Sequence, residues 1–248
     1  MLAALIVPAL LLDAAFGDGK ADPRLEHARE VVLAYVSHMP NYVADETAKR
    51  YQRDPGSSKW RVADTIQTEI TLRENSAVRE NIRRNGKPWK KPFDELPGFK
   101  WAGGFGTELR PLFDPQCPTT LDFAGSAEVR GQPVLDYQFS SPPDGCFAYF
   151  TENGRTSNPP RSGDVFIDQA SGNVMRLEED AEGFPPGSRF IERTEQVTWG
   201  YVTIGEERHL LPIAASFLIR YASGTQYRID VEYSNHRHFE ASTHLTFQ

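Results

Sequence analysis

The chain has 248 residues, of which 39% are hydrophobic and 25% are charged, and its net charge at pH 7 is −7. This length is ordinary for one β-rich domain, and folding at this size buries about 70–75% of the unfolded chain's surface, so a core can form without a metal or many disulfides. The composition excludes disordered, collagen-like and multi-span membrane proteins. The negative charge argues against a general nucleic-acid binder.

The first twelve residues are uncharged and apolar. At about 1.5 Å per residue, this run is too short to cross a hydrocarbon core of about 30 Å as a helix, but it has the length of a signal-peptide apolar segment. Ala15 and Gly17 are small residues at the −3 and −1 positions for cleavage before Asp18. We therefore expect residues 1–17 to be a signal peptide and residues 18–248 to form a single domain, periplasmic or secreted. The alternative is that the apolar run belongs to the mature fold.

The chain contains two cysteines, Cys117 and Cys146. In an exported protein an even number of cysteines favours a disulfide, and their spacing contains no CxxC motif. We expect one disulfide, which would close a loop of about 30 residues and stabilise the fold by about 3–4 kcal/mol. The alternative is two separate buried thiols in a cytosolic protein.

One long helix is predicted near the N-terminus, at residues 24–38. Its apolar side chains recur at helical spacing, Pro23 suits its start and Pro40 forbids its continuation. The apolar positions are Leu25, Ala28, Val32 and Tyr35.

After Asn41 the apolar period changes from that of a helix to that of a strand. Residues 60–73 alternate as in a long strand with one face in the core and the other in water. The residues predicted on the core side are Trp60, Val62, Ile66, Ile70 and Leu72. Asn85 and Gly86 then mark a tight hairpin turn.

Residues 92–118 interrupt the strand pattern with five prolines and five large aromatic residues. A long ordered loop is more often a lid or a binding element than a connector, and we expect a short helix at residues 107–113. Aromatic side chains beside glycine hinges are typical of a lid over an apolar groove. The candidate ligand-binding residues are therefore Phe93, Phe99, Trp101, Phe105 and Phe113. The alternative is ordinary core under a long loop.

The rest of the chain is predicted to be almost entirely strands. They are expected at residues 120–129, 133–139, 146–150, 165–168, 174–178, 190–204, 213–221, 226–234 and 239–247, with a polar surface loop at 151–163. About nine to eleven strands in hairpin-like connections predict a mainly β domain of the α+β class. We expect a curled antiparallel sheet or half-barrel, covered by the N-terminal helix and the short helix.

Several short segments carry a family resemblance. Residues 131–137 read GQPVLDY, and residues 165–168 (VFID) are followed by GNVMRLE at 172–178. These segments are similar to hairpins of the LolA-like lipoprotein-carrier superfamily of the bacterial envelope, and residues 202–212 and 233–239 resemble exported proteins in its neighbourhood. The resemblance implies a half-barrel whose apolar concave face holds acyl chains. The carriers have several lid helices, whereas this sequence predicts one long helix and one short one.

A basic segment surrounds the predicted turn at Asn85 and Gly86, in a chain whose net charge is negative. It carries six basic residues against a single acid, Glu80. Such a segment could contact anionic headgroups or an acidic partner. The alternative is a solvated edge hairpin whose charges prevent strand pairing. The six residues are Arg79, Arg83, Arg84, Lys87, Lys90 and Lys91.

A histidine cluster lies near the C-terminus and contains His236, His238 and His244, with Glu240 nearby. Imidazole and carboxylate groups can bind zinc. However, His238 and His244 would lie about 20 Å apart along a strand, so we expect a polar solvent face and no metal site.

Two further clusters carry weaker signals. The acidic run at 178–182 could supply paired carboxylates, but a solvated turn is the simpler interpretation. The glycines at 103–106 could seat an anion, but they lack a preceding strand and a Walker lysine. The chain contains no GxSxG or HExxH signature, so we predict no catalytic residue and no cofactor.

The leading hypothesis is a monomeric, non-enzymatic periplasmic protein that binds a lipid, an acyl chain or a lipidated partner, with peripheral membrane contact. Each buried CH₂ of an acyl chain would contribute about 0.8 kcal/mol. The alternative is an envelope scaffold with a filled interior, whose sheet edge or basic hairpin binds another protein. A third hypothesis is a hydrolase on envelope polysaccharide, which would need convergent carboxylates in a polar cleft.

Overall fold

The computed structural model describes residues 22–73, 76–101, 105–152 and 154–239. The predicted signal peptide, and the predicted last strand beyond Phe239, lie outside these residues. In the ranges described, no helix is long and apolar enough to span a membrane.

Within these ranges the chain forms two α-helices, two short 3₁₀ turns and thirteen strands. The helices are α1 (Pro23–Ser37) and α2 (Arg110–Phe113), and the 3₁₀ turns span Phe93–Glu95 and Thr107–Leu109. The strands are β1 (Tyr42–Arg53), β2 (Arg61–Arg73), β3 (Ser76–Arg84), β4 (Lys87–Pro88), β5 (Thr120–Val129), β6 (Gln132–Ser141), β7 (Phe150–Glu152), β8 (Arg155–Ser157), β9 (Arg161–Asp168), β10 (Val174–Ala181), β11 (Phe190–Ile204), β12 (Glu207–Tyr221) and β13 (Gln226–His238).

In the described part of the chain, eleven strands form one antiparallel sheet in the order β4-β3-β2-β1-β13-β12-β11-β10-β9-β6-β5. The strands β7 and β8 form a separate hairpin. Most neighbours follow each other in sequence, but β1 pairs with β13 and β6 pairs with β9. The sheet ends at β4 and β5 and is not closed into a barrel. The predicted fold class, a large antiparallel sheet with one N-terminal helix and one short helix, is confirmed.

One face of the sheet, here called the inner face, carries most of the core. Alternate residues of β12 and β13 point into it, as their period of two predicts. These buried residues are Ala215, Phe217, Ile219, Ile229, Val231 and Tyr233.

Helix α1 lies against this core through Leu25, Ala28, Val32 and Val36. Its N-cap residue, Asp22, accepts hydrogen bonds from the Arg24 backbone N–H at 3.0 Å and from the Tyr137 hydroxyl of β6 at 2.8 Å. The same carboxylate therefore caps the helix and ties it to the sheet.

The predicted disulfide joins Cys117 and Cys146, whose Cα atoms are 5.6 Å apart. Their separation of 29 residues leads us to expect that replacing both cysteines with serine lowers the free energy of unfolding by about 3–4 kcal/mol. Urea unfolding of the variant, and of the wild-type protein with and without a reductant, measures this. The reduced wild-type protein should match the serine variant, and identical midpoints for all three samples would contradict a stabilising bond.

The prediction of a strand at residues 146–150 is wrong, because only Phe150 lies in a strand. The carbonyls of Gly145 and Phe147 accept hydrogen bonds from the Asn158 side chain instead of from a strand. The predicted surface loop at 151–163 is also wrong, because it contains β8 and the start of β9, and Asn158 and Arg161 are buried.

The structure also differs from the prediction at β1 and β2. Two predicted core residues are outside the core, since Val62 is 53% exposed and Trp60 precedes the strand and lies beneath the Arg53 guanidinium. The inner-face position at this end of β2 is occupied by the buried carboxylate of Asp64. Strand β1 has no counterpart among the predicted strands, because its inner face combines small residues with two buried charges.

Candidate functional site

Residues 92–101 and 105–113 lie over the inner face of the sheet, and we call these residues the cover. Most of its described apolar side chains are buried against the sheet and α1. The buried residues are Leu96, Trp101, Phe105, Leu109, Leu112 and Phe113. Gly106, with φ of 94°, lets the chain turn where its Cα approaches Tyr35 and Met39 of the helix region. Gly106 therefore serves close packing, whereas Gly103 and Gly104 lie outside the described residues.

A buried carboxylate, Glu46 of β1, anchors the cover to the sheet. Its oxygens accept four hydrogen bonds, from Thr68 Oγ1 at 2.9 Å, from Trp101 Nε1 at 2.9 Å, and from Arg79 Nε and Nη2 at 2.6 and 2.9 Å. Because the carboxylate is fully buried, these bonds compensate for its lost hydration. The Trp101 bond links the cover directly to β1.

Three of the five predicted aromatic residues of the cover lie around the Arg79 guanidinium. Its Cζ atom lies 4.5 Å from the ring centre of Phe93, 5.4 Å from that of Trp101 and 6.0 Å from that of Phe105. Phe113 is fully buried in the core, whereas Phe99 stays half-buried at the far end of the cover. The structure thus separates the predicted aromatic set into three rings around Arg79, one core residue, and Phe99, which is half-buried and belongs to neither group.

A second buried carboxylate, Asp64 of β2, is shared by two arginines. Arg50 donates to both of its oxygens at 2.6 Å, and Arg84 Nε donates at 2.6 Å. Burial alone would raise the pKa of Asp64, but the two guanidinium groups outweigh it and lower that pKa. The remaining Nη1 of Arg50 donates to the carbonyls of Pro97 and Phe99 at 2.9 and 3.0 Å, so this ion pair also holds the cover.

A third charged group lies on the inner face of β9, β10 and β11. Arg161 Nε lies 3.1 Å from Glu179 Oε1, Arg193 Nη1 lies 3.3 Å from the same oxygen, and Arg193 also pairs with Glu195. Both carboxylates are buried. The interpretation of the acidic run as a solvated turn is therefore wrong for Glu179, because residues 178–181 lie within β10 and strand alternation points Glu179 inward.

Burial raises the pKa of Glu195 to about 8, against the opposing effect of Arg193, while Glu108 of the cover and Glu179 raise it further. A raised carboxyl pKa means that the folded state binds a proton that the unfolded state releases, so stability falls as pH rises from about 4.5 to about 8. Glu195→Gln has no such proton, so its free energy of unfolding should not fall in this way. We therefore expect its stability relative to wild type to increase as the pH rises through this range. Urea unfolding of both proteins at pH 5.5 and pH 8 measures the difference between their free energies of unfolding. The same difference at both pH values would contradict a raised pKa for Glu195.

The inner face beneath the cover is thus filled by side chains of the chain itself, and three buried ion-pair clusters, which contain four carboxylates, interrupt its apolar surface. An acyl chain would meet these ion pairs in place of the apolar concave face that the family resemblance implies. Open concavities of the described surface lie at the edges of the cover, and a further one, of about 550 Å³, is lined by Met175, Trp199 and Tyr233 among others.

One such concavity, here called the rim groove, lies where the ends of β1, β2, β11, β12 and β13 meet the cover. It consists of two adjoining depressions of about 270 and 730 Å³, both open to solvent. Gly98, Phe99 and Tyr227 line both depressions. The first depression also contains Arg50, Arg61, Asp64 and Arg84, and the second contains Lys100, Arg189, Phe190 and Tyr221.

Aromatic rings form a continuous wall along the second depression. The ring centres of Tyr227 and Tyr221 are 5.4 Å apart, as are those of Tyr221 and Phe190. The wall continues behind Phe190 through Phe150 and Phe184. Burial raises the pKa of Tyr221, so its hydroxyl stays neutral near physiological pH.

The predicted basic segment does not form one patch. Arg79 is buried against Glu46, and Arg84 turns towards Asp64. The other four remain at the hairpin surface: Arg83 donates to the Gly86 carbonyl, Lys91 pairs with Glu95 at 3.2 Å, and Lys87 and Lys90 are exposed. These four remain candidates for the predicted hairpin contact with an anionic partner, and Arg84 stays partly exposed beside Asp64.

The histidine cluster is only partly within the described residues, because Glu240 and His244 fall outside them. His236 Nε2 lies 3.2 Å from the Pro212 carbonyl, and burial lowers its pKa. Among the residues that the structure describes, no group of three or more potential ligands could hold a metal ion.

Sequence reasoning missed the buried charges that position the cover. Glu46 and Arg50 share the parity of Tyr42, Ala44 and Ala48 in β1, which places them on the apolar side of the strand. A charged residue at an apolar-parity position is a signal for a buried ion pair, and its partner cannot be identified until the strand order is known.

Comparison with known proteins gives no match by sequence, neither to a protein-family model nor to a curated protein. Solved structures do match. A domain described as that of an outer-membrane lipoprotein-sorting protein from Vibrio parahaemolyticus has a TM-score of 0.37 at 10% identity, over 86% of this chain and 91% of that chain. A LolA superfamily protein from Nitrosomonas europaea has a TM-score of 0.28 at 9% identity, over 89% and 94%. A DUF1329 family protein from Desulfovibrio piger has a TM-score of 0.37 at 10% identity, over 90% and 96%.

The matched structures include a member of the LolA superfamily, the family that the sequence resembles. At these identities and TM-scores the similarity concerns the fold and gives no information about a ligand.

Proposed function

We propose that this is a non-enzymatic exported protein that binds an amphiphile, such as a lipid or the acyl chain of a lipidated partner, in the rim groove. The observation that carries the proposal is the contrast between the two concave surfaces. The inner face is filled and contains buried charges, whereas the rim groove is open and has aromatic walls. This moves the predicted ligand site from beneath the cover to its edge.

The groove wall is held in place by the fold. Arg50 fixes the backbone on either side of Gly98 through its bonds to Pro97 and Phe99, so the Phe99 ring is positioned before a ligand arrives. A preorganised wall lowers the ordering cost of binding. An acyl chain in the groove would gain about 0.8 kcal/mol for each buried CH₂, without requiring specific polar contacts.

The buried carboxylates do not support the hydrolase hypothesis. Glu179 and Glu195 are ion-paired with arginines inside the core, where no substrate reaches them. Asp64 lines the groove but already accepts hydrogen bonds from two arginines. These contacts favour structural roles for all three groups.

The test combines lipid extraction and native mass spectrometry of protein from an envelope fraction with calorimetric titration of a neutral amphiphile, monododecanoylglycerol. We expect bound lipid, and we expect Phe99→Ala to weaken binding about tenfold, which corresponds to the loss of about 1.4 kcal/mol of apolar contact. Tyr149→Ala is the matched control, because Tyr149 is a 61% exposed aromatic residue outside the groove. Absence of copurified lipid together with absence of binding heat would refute the proposal.

A scaffold function is the second candidate, and the filled inner face and the free edge of the sheet favour it. Strand β5 is ten residues long, is paired on one side by β6, and exposes 46% of Phe123. An exposed strand edge can accept another strand. A lipid-free preparation that forms concentration-dependent dimers, and loses them in Phe123→Lys, would support strand pairing over amphiphile binding. A lipid-bound monomer at all concentrations would count against it.

A further inference from the structure

We propose that the ligand of the rim groove is a single-chain amphiphile with an anionic head, bound by Arg84 at one end of the groove. Its apolar chain would then extend past Phe99 and Tyr227 towards Tyr221 and Phe190. This inference rests on the proposed function and adds the chemical class and the direction of the ligand.

The first depression carries an excess of positive charge. Asp64 provides one negative charge to two guanidinium groups, those of Arg50 and Arg84. The side chain of Arg50 is 7% exposed and that of Asp64 is 1% exposed, whereas that of Arg84 is 37% exposed. The uncompensated charge of this triad is therefore available at Arg84.

The hydrogen-bond donors of the two arginines differ in the same way. Arg50 uses Nε and Nη2 on Asp64 and Nη1 on the carbonyls of Pro97 and Phe99. Arg84 uses only Nε, and within the described residues its two Nη groups donate no hydrogen bond. Two adjacent Nη donors match the two oxygens of a carboxylate or phosphate. Arg50 is thus a positioning residue, and Arg84 presents the binding donors.

Arg61 provides a further cation on the same depression, which Arg228, paired with Asp230 at 3.3 Å, also lines. Its Nε lies 3.6 Å from Asp54 Oδ2, and both side chains are 56% exposed. Such an exposed pair contributes little, so an incoming anion can compete for Arg61 at small cost.

The aromatic wall defines where the apolar chain would lie. Gly98, Phe99 and Tyr227 belong to both depressions, so a chain that starts at Arg84 reaches Tyr221 and Phe190 only by passing them. At the far end, the charge of Arg189 is balanced by Glu152 at 3.0 Å. Lys100 also lies on the second depression, with Nζ 3.4 Å from the Leu96 carbonyl, and it is the competing position for the head.

The experiment compares amphiphiles that share one chain length, measured by calorimetric titration of the full chain below their critical micelle concentrations. Dodecanoate and dodecyl phosphate are anionic, and monododecanoylglycerol is neutral. We expect the anions to bind about tenfold or more tightly than the neutral compound, as expected for charge-assisted hydrogen bonds. A preference for one anion identifies the head as carboxylate or phosphate.

Variants locate the head. We expect Arg84→Gln and Arg61→Gln to weaken binding of the anions much more than binding of the neutral compound. Lys100→Gln tests the competing position for the head. Lys87→Gln, at an exposed hairpin position outside the groove, is the control that should change neither. Arg61→Gln keeps the test valid if Arg84→Gln disturbs the Asp64 ion pair, because Arg61 does not contact Asp64. Equal binding of anionic and neutral compounds, or an effect of Lys100→Gln alone, would overturn this inference and leave the proposed function intact. Failure of all three compounds to bind would instead refute the proposed function.

Discussion

Glu46→Gln is expected to lower the free energy of unfolding by about 3–5 kcal/mol, the usual cost of removing one partner of a buried ion pair. The glutamine keeps the volume of the side chain but removes the charge that faces Arg79, which is itself 8% exposed. Its amide can accept hydrogen bonds on one atom only, so some of the donors on Thr68, Trp101 and Arg79 lose their partner. Urea unfolding, followed by far-UV circular dichroism, measures the loss.

The matched control for this variant is Glu69→Gln in β2. Glu69 also pairs with an arginine, Arg237, but its side chain is 34% exposed and that of Arg237 is 42% exposed. An exposed pair of this kind contributes about 0–1 kcal/mol. If both glutamine variants destabilise the protein equally, Glu46 is not the anchor of the cover.

Arg193→Gln is expected to cost a similar amount, about 3–5 kcal/mol, because it leaves buried Glu195 without its guanidinium partner. Arg193 also neutralises Glu179 across the β10–β11 pair. Part of the cost will be relieved at low pH, where protonation of Glu195 removes the unpaired charge, so the loss should be smaller at pH 5.5 than at pH 8.

The control for Arg193 is the neighbouring ion pair between Glu192 of β11 and Arg220 of β12. Arg220→Gln removes the partner of Glu192 on the exposed side of the sheet, where Arg220 is 44% exposed, and should cost about 0–1 kcal/mol. The double variant Arg193→Gln with Glu195→Gln should recover much of the loss, since it removes both charges. A double variant that is as unstable as the sum of the two singles would show that the two side chains do not interact.

The apolar side of the sheet could be predicted from the sequence because period two is a local property. The apolar residues predicted to share one face of β12 and of β13 do so in the structure. The predicted strands at residues 120–129 and 190–204 have the same boundaries as β5 and β11. Helix α1 was likewise predicted to within one residue at each end. In these segments local pattern and tertiary burial agree.

The predictions failed where side chains from distant parts of the chain determine the local structure. Residues 146–150 are held by the Asn158 side chain and by the disulfide, which no strand pattern reveals. Glu46 and Arg79 lie in different strands, and their pairing depends on β1 and β3 flanking β2. The rim groove combines the cover with the ends of strands separated in sequence, so Phe99 was identified as a candidate, while Arg84 was assigned only to a surface patch.

The most direct test of the account is the location of a bound amphiphile. A dodecanoate analogue with a diazirine near the end of its chain can be cross-linked to the full chain by light, and the modified peptides identified by mass spectrometry. Binding in the rim groove predicts cross-links there, on Phe99, Phe190, Tyr221 or Tyr227, and their loss when unlabelled dodecanoate competes. Cross-links on inner-face residues beneath the cover, such as Trp199 or Phe217, would contradict it.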